Sequence, residues 1–316
     1  MKPTIGIIGM GFVGKATGLL FANSKVLCYD KEPSLCIPHG LTLERMVDEC
    51  DMIFVSVPTP MNKDTGSCCT SIIESVKGDL DKVIEFRETV KGTSKNKKPI
   101  IVLRSTVPPG TCERLGWVFM PEFLTEANWR NDTINASKLY FGFPESANCD
   151  YDYDCYNVEQ IKDKIKWFVT IGTPTVKGTV RECIFGTSTG MEMFKIFANS
   201  FLAMKVGFCN EFYRYTQTLL SDKNSTDSNI SNPLYDELCG LLSNDVRIGT
   251  SHMKVPGPDG KFGFGGTCFP KDINSLFYEM NLRGVSAPIT SAVIKRNEEI
   301  DRPEKDWASD LGRAVI

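Results

Sequence analysis

A short β-branched apolar run, Thr4-Ile5-Gly6-Ile7-Ile8-Gly9, opens the chain and gives way at Met10-Gly11-Phe12-Val13-Gly14 to a helix-compatible stretch reaching Ala22. Strand, tight turn and helix follow from that change of period. Apolar runs at Val26–Asp30, Met52–Val57 and Pro99–Leu103 predict further strands, and the segments Arg104–Thr111 and Pro121–Glu126 each follow a predicted strand. Alternation of this kind implies an α/β fold on a doubly wound, mostly parallel sheet. From Thr189, where Thr189-Gly190-Met191-Glu192 has capping-box spacing, a proline-free stretch runs to Leu220. As one helix it would extend about 45 Å, enough to join a sheet domain over 1–185 to a smaller all-α domain over 186–316. Three polar segments interrupt the pattern: Arg87–Lys98, read as a solvated loop or frayed helix end; Asn148–Tyr156, which suggests no function; and the turn-forming Asp222–Asn232.

Composition narrows the classes. A net charge of −3 over 316 residues leaves no general basic surface for nucleic acid. Charges break every apolar stretch well short of a membrane span, and Met1 leads directly into a strand, so a cytosolic protein is expected. The twelve cysteines are scattered and read mostly as small buried hydrophobes in a reducing compartment. Cys68 and Cys69 are adjacent, no Cys-x-x-Cys occurs and the only histidines are His39 and His252, so no metal is expected. Asn131, Asn135 and Asn224 sit in glycosylation sequons by chance.

Four features carry candidate chemistry. Gly9-x-Gly11-x-x-Gly14 lies between strand and helix, and Asp30 ends the next strand 21 residues after Gly9. In a Rossmann-type βαβ unit those glycines permit the turn and bring backbone N–H groups to a pyrophosphate, while Asp30 accepts from the adenosine ribose and repels a 2′-phosphate. NAD is therefore the expected cofactor, bound around Gly9, Gly11, Phe12, Val13, Gly14 and Asp30. In Gly263-Phe264-Gly265-Gly266-Thr267-Cys268-Phe269-Pro270-Lys271-Asp272, Cys268 precedes a proline suited to a helix's first turn. A helix N-terminus there would favour thiolate, making Cys268 a candidate nucleophile; buried filler is the competing reading of any one cysteine. Lys195 and Asn199 share a stripe with Met191, Leu202 and Val206. Either Lys195 snorkels to water or both residues aim donors at a developing oxyanion. Glu122 and Glu126 are candidate carboxylates for proton transfer, with helix-capping or surface roles equally open.

Taken in this order the segments resemble the UDP-glucose 6-dehydrogenase family, within the UDP-glucose and GDP-mannose dehydrogenase group. The resemblance extends over Gly9–Gly14, Val55–Pro60, Ser105–Gly110, Pro121–Glu126, Lys195–Asn199, Asp245–Gly249 and Phe264–Asp272. It implies an NAD-dependent, four-electron oxidation of the UDP-glucose C6 alcohol to the carboxylate, with Cys268 carrying a thiohemiacetal and then a thioester. It further implies Lys195 and Asn199 as oxyanion-stabilising, Asp272 and Thr106 as placing water or moving protons, and Glu122 and Glu126 as the acidic pair. By the same likeness Pro58, Thr59, Thr106 and Lys271 face the cofactor. Phe123, Leu124, Lys195, Asn199, Phe264 and Gly265 face the sugar nucleotide, and Arg247 reaches it from the neighbouring subunit of a homodimer.

Two departures stand out. Members of the family continue into a third, C-terminal α/β domain covering the nucleotide, whereas this sequence stops at Ile316 and is expected to be a short form. Met120 stands where Asn commonly precedes Pro-Glu-Phe, and Ala127 where Gly is common. GDP-mannose or a UDP-N-acetylhexosamine would suit the same cysteine chemistry. A 3-hydroxyacid or 6-phosphogluconate type of dehydrogenase would share the two-domain plan without the thiol, and a non-catalytic nucleotide-binding protein would keep only the scaffold.

Overall fold

Seven strands, β1 (Thr4–Ile8), β2 (Lys25–Tyr29), β3 (Met52–Val55), β4 (Ile100–Leu103), β5 (Val118–Phe119), β6 (Lys138–Phe143) and β7 (Glu182–Thr187), form one sheet in the order β2-β1-β3-β4-β5-β6-β7. The computed structural model describes residues 2–91, 98–145, 157–220 and 232–316; the polar segments at 92–97, 148–156 and 222–231 fall outside them. Side chains alternate between two apolar layers. Ile5, Ile7, Met52, Phe54, Ile100 and Val102 lie in one, Ile8, Ile53, Val55, Ile101 and Leu103 in the other. Both faces are thus covered, which is why these strands read as unbroken apolar runs.

The helices of this part are α1 (Phe12–Leu20), α2 (Leu43–Glu49), α3 (Ser71–Lys91), α4 (Thr111–Leu115), α5 (Trp129–Asn135) and α6 (Val158–Gly172). The sheet is Rossmann-like and, as expected, mostly parallel, with one antiparallel pair. β5 and β6 pair antiparallel, through Phe119 and Gly142. Between them α5 packs against α1, so this connection returns the chain without the crossover that parallel pairing needs.

The chain divides into two units, Met1–Thr59 with Cys69–Lys195, and Pro60–Cys68 with Ile196–Ile316. Helix α7 (Ser188–Leu220, 33 residues) contributes to both and, at 1.5 Å per residue, is about 50 Å long. Its start corrects the expected capping box. The Thr187 hydroxyl accepts from the Gly190 N–H at 3.1 Å. The Glu192 carboxylate does not fold back; it accepts from Gly110 N–H (2.6 Å) and Cys112 N–H (2.7 Å). Those are orphan donors of α4, whose N-cap is Gly110, in a left-handed conformation and without a side chain to cap them.

The second unit is mostly helical, with α8 (Pro233–Leu242), α9 (Phe269–Leu282) and α10 (Pro288–Arg296) beside its part of α7. One cluster joins Cys209, Tyr213, Tyr235, Met253 and Val255, and a second joins Ala203, Phe264 and Ile273. A hairpin at 61–68, closed by the bridge between Met61 and Cys68, belongs here too. Its Met61 is hydrogen-bonded on both sides to the terminal segment, Met61 N–H to Ala314 O and Ile316 N–H to Met61 O, each at 2.8 Å.

Candidate active site

The turn between β1 and α1 is shaped for a close backbone approach. Gly9 has φ of +91°, and a Cβ there would stand 2.5 Å from Ser56 O; one on Gly14 would stand 2.0 Å from Gly9 O. These two glycines are needed for the turn and for strand–helix packing. Gly11 is different: a Cβ on it would meet nothing within 4 Å, so it faces open space at the helix N-terminus. The Asp30 carboxylate sits beside the turn, accepting from Met10 N–H at 2.6 Å and Glu32 N–H at 3.0 Å. Bare N–H groups, a glycine opening and a held carboxylate fit a dinucleotide whose pyrophosphate lies on the turn and whose ribose meets Asp30. At the ends of β3 and β4, the buried Thr59 donates to Thr106 O at 2.8 Å and Ser105 to Val57 O at 2.6 Å, fixing the two loops that carry Pro58, Thr59 and Thr106.

Farther along the first unit, Lys195 is buried and engages Glu122 twice. Its ammonium donates to the backbone O at 2.6 Å and pairs with the carboxylate at 2.8 Å. It also lies 5.5 Å from the Phe123 ring centroid. Lys195 therefore does not snorkel; its charge is balanced inside the protein. Glu122 accepts in addition from Leu124 N–H at 2.8 Å, which shapes the turn bearing Phe123 and Leu124. Glu126 is exposed where Glu122 is buried, so the two expected acidic partners occupy unlike surroundings. Beneath this turn a cavity of about 80 Å³ is lined by Arg104, Glu122, Asp132 and Tyr140. Arg104 is held there by Thr17 at 2.7 Å; burial pushes its guanidinium down to about 10, against the opposing pull of Glu122.

In the second unit Cys268 is the residue immediately before α9, with Pro270 in the first turn, as its sequence context predicts. Asp272 is buried behind it, accepting from the Asn199 amide at 2.7 Å and the Lys271 ammonium at 2.7 Å. Burial disfavours the Lys271 charge, but Asp272 and the nearby thiols of Cys68 and Cys268 more than offset it, so its pKa is raised. Lys271, expected at the cofactor, is thus buried within this cluster. Arg247 is exposed and paired with Asp245 at 2.5 Å. Its segment is tied to α7 by Lys205, which donates to Ile248 O at 3.0 Å and Gly249 O at 3.2 Å.

Several supports have no sequence signal. Asn297 brackets the Phe264 backbone, accepting from its N–H at 2.8 Å and donating to its O at 2.9 Å. Asn210 accepts from Gly263 N–H at 3.0 Å. Gly263 has φ of +66°, and a Cβ there would sit 2.3 Å from the Asn297 amide oxygen. A Cβ on Gly265 would fall 2.4 Å from the Arg302 guanidinium carbon. The glycine run hints at close neighbours, but nothing local names residues more than thirty positions away.

Comparison with known proteins identifies the family of both units. Residues 40–161 match the NAD binding domain of the UDP-glucose/GDP-mannose dehydrogenase family, and residues 189–299 match its central domain. The chain is similar to the putative UDP-glucose 6-dehydrogenase YtcA of Bacillus subtilis, at 28% identity over 93% of this chain and 67% of that protein. It is also similar to the UDP-glucose 6-dehydrogenase TuaD of the same organism, at 26% identity over 93% of this chain and 63% of that protein. It thus spans about two thirds of the length of these relatives. In fold it is similar to the structure of a UDP-glucose dehydrogenase from Pyrobaculum islandicum, with a TM-score of 0.69 and 22% identity over 94% of this chain and 68% of that one.

Proposed function

The chain belongs to the UDP-glucose/GDP-mannose dehydrogenase family, and from that premise we propose that it oxidises the C6 alcohol of UDP-glucose to the carboxylate in two steps at Cys268. The observation that carries this reading is the position of Cys268 before the first turn of α9, with the buried Asn199–Asp272–Lys271 cluster beside it. NAD, when bound, supplies the acceptor for each oxidation. The Cys268 sulfur adds to the C6 aldehyde to give a thiohemiacetal, and after the second oxidation water cleaves the resulting thioester. Lys195 and Asn199, one turn apart on α7, would stabilise the oxyanions. Asp272, held by two donors, would orient the attacking water, and Glu122 and Thr106 would serve proton transfer and water placement. Phe123, Leu124, Phe264 and Gly265 would hold the sugar nucleotide.

A homodimer completes the reading. Phe197, Phe201, Phe208, Tyr215 and Leu219 are exposed and fall on one face of α7, a stripe about 33 Å long. An uncharged aromatic stripe is complementary to itself, so a second copy related by two-fold symmetry is its natural cover. Arg247, exposed in the chain, would then serve the partner's nucleotide.

The test is stoichiometry. Purified protein with limiting UDP-glucose and excess NAD should form two NADH per sugar nucleotide. One NADH would remove the thioester step, and no NADH with UDP-glucose, GDP-mannose or a UDP-N-acetylhexosamine would remove the enzyme reading.

A further inference from the structure

The cavity of about 80 Å³ beneath the turn at 121–124 lies wholly within the first unit. Leu20 of α1, Arg104 after β4, Met120 and Glu122 after β5, and Leu139 and Tyr140 of β6 are among its walls. Arg104 and Glu122 are the buried charges of that lining, each 5% exposed. The Arg104 Nη1 group donates to the Thr17 hydroxyl at 2.7 Å. Nε is buried without a partner, and Nη2, on the same edge of the guanidinium, also has none among the described residues. A buried charge with most of its donors unmet is costly unless a further group meets them.

Glu122 does not fill that role. Its carboxylate is paired with the buried Lys195 at 2.8 Å and accepts from Leu124 N–H at 2.8 Å, and it acts on Arg104 by charge alone. The buried charges around the turn are thus two cations, Arg104 and Lys195, against the one anion of Glu122, which leaves a positive charge in surplus at Arg104. Two further charges line the cavity at its solvent edge, where water and salt screen them. Asp132 is half-buried, with Oδ2 taken by the Thr125 N–H at 2.8 Å and hydroxyl at 2.6 Å. Lys138 is exposed and faces Glu182 at 3.8 Å.

We propose that this cavity binds a small aliphatic monocarboxylate of about the size of acetate, with its carboxylate on the Nη2 and Nε edge of Arg104. N–H groups on that edge point the same way and can hold both oxygens of one carboxylate. Size agrees: at about 30 Å³ for each water of the liquid, the space equals two to three waters, enough for an anion of about three or four non-hydrogen atoms. Leu20, Met120 and Leu139 make the wall away from the guanidinium apolar. An alkyl end gains by burial against them, whereas chloride or phosphate would leave that wall facing an ion.

The test is fluorine NMR of fluoroacetate with the full chain, competed by the sodium salts of acetate, pivalate and chloride at equal ionic strength. The fluoroacetate line should broaden in the presence of the protein and sharpen again with acetate. Pivalate, too bulky for the cavity, and chloride, without a second oxygen or an alkyl end, should leave it broad. Arg104→Lys keeps the charge but not the planar edge, and with a charge-assisted hydrogen bond lost it should bind fluoroacetate about tenfold or more weakly, at matched thermal unfolding. The competition series needs no variant, so it decides even if Arg104→Lys does not fold. No broadening would mean a cavity filled by water alone and would overturn the proposal. So would sharpening by pivalate or chloride as effective as that by acetate, which marks exposed cations, or broadening undiminished in folded Arg104→Lys. None of these readouts depends on sugar-nucleotide turnover.

Discussion

Two side chains decide most at the scale of single residues. Replacing Cys268 by Ser keeps the shape beside α9 but substitutes a poor nucleophile and a poor leaving group. NADH formation on UDP-glucose should fall by about a thousandfold or more, while NAD binding, proposed for the Gly9–Gly14 turn, should persist; stopped-flow absorbance and equilibrium NAD titration read the two separately. Lys195 makes a different kind of contribution. It and Glu122 are both buried and paired at 2.8 Å, so Lys195→Met leaves the carboxylate without its ion-pair partner, with only Arg104 acting on it from across the cavity, and should cost about 3 kcal/mol of stability in urea unfolding. Adding Glu122→Gln to that variant should return part of the loss, which a merely lost packing contact would not do. The sequence places Lys195 on an apolar stripe and so exposes its anomaly, but the partner lies 73 positions away in the chain, beyond the reach of any local pattern. Cys268 and Asp272 are legible because proline and glycine punctuate their neighbourhood; Asn210 and Asn297 are not, because a buried amide that bonds to backbone looks in sequence like any helical asparagine.

Elements are joined here by side chains that serve another element's ends. Glu192 belongs to α7 yet caps α4, and burial pushes its carboxyl up to about 6, with the Cys112 and Gly110 N–H bonds opposing. A carboxyl raised in the folded state binds its proton more tightly there than in the unfolded chain. Its stabilising contribution is then complete below pH 4.5, the ordinary value, and is lost as pH rises through about 6. The stability difference between the parent and Glu192→Gln, measured by urea unfolding across that interval, should therefore shift against the parent by about 2 kcal/mol as pH rises. The Asn297 clamp gives a second test: with its two bonds to Phe264 removed, at about 1 kcal/mol for each net hydrogen bond, Asn297→Ala should raise KM for the sugar nucleotide by up to about thirtyfold, with KM for NAD unmoved. Apolar periodicity reveals β1 to β4 and α7, since long or doubly buried runs leave little choice of element. The antiparallel β5–β6 step and the Glu192 cap are tertiary outcomes. A two-residue strand such as Val118–Phe119 carries too little pattern to announce its direction, and S/T-x-x-E spacing at Thr189 cannot reveal that its glutamate has orphan N–H groups elsewhere to satisfy.

For the whole molecule the question is how many copies make one working site. In the proposed dimer the aromatic stripe on α7 and Arg247 would meet the same partner, and experiment can separate the two contributions. Phe208→Asp places a charge in the middle of the stripe, where two-fold pairing would bring two such charges together, and should shift sedimentation of the protein from dimer to monomer. If Arg247 serves the partner's nucleotide, Arg247→Ala and Cys268→Ser are each inactive alone for different reasons, one lacking the arginine and the other the sulfur. Mixed in equal amounts and allowed to exchange subunits, half of the dimers would be mixed, and each of those would hold one complete site, with Cys268 from one chain and Arg247 from the other. The mixture should regain roughly a quarter of the parent activity. An arginine acting within its own chain leaves every mixed site defective, and mixing would then restore nothing. The outcome depends only on which chain each residue serves, so it holds whichever sugar nucleotide supports turnover.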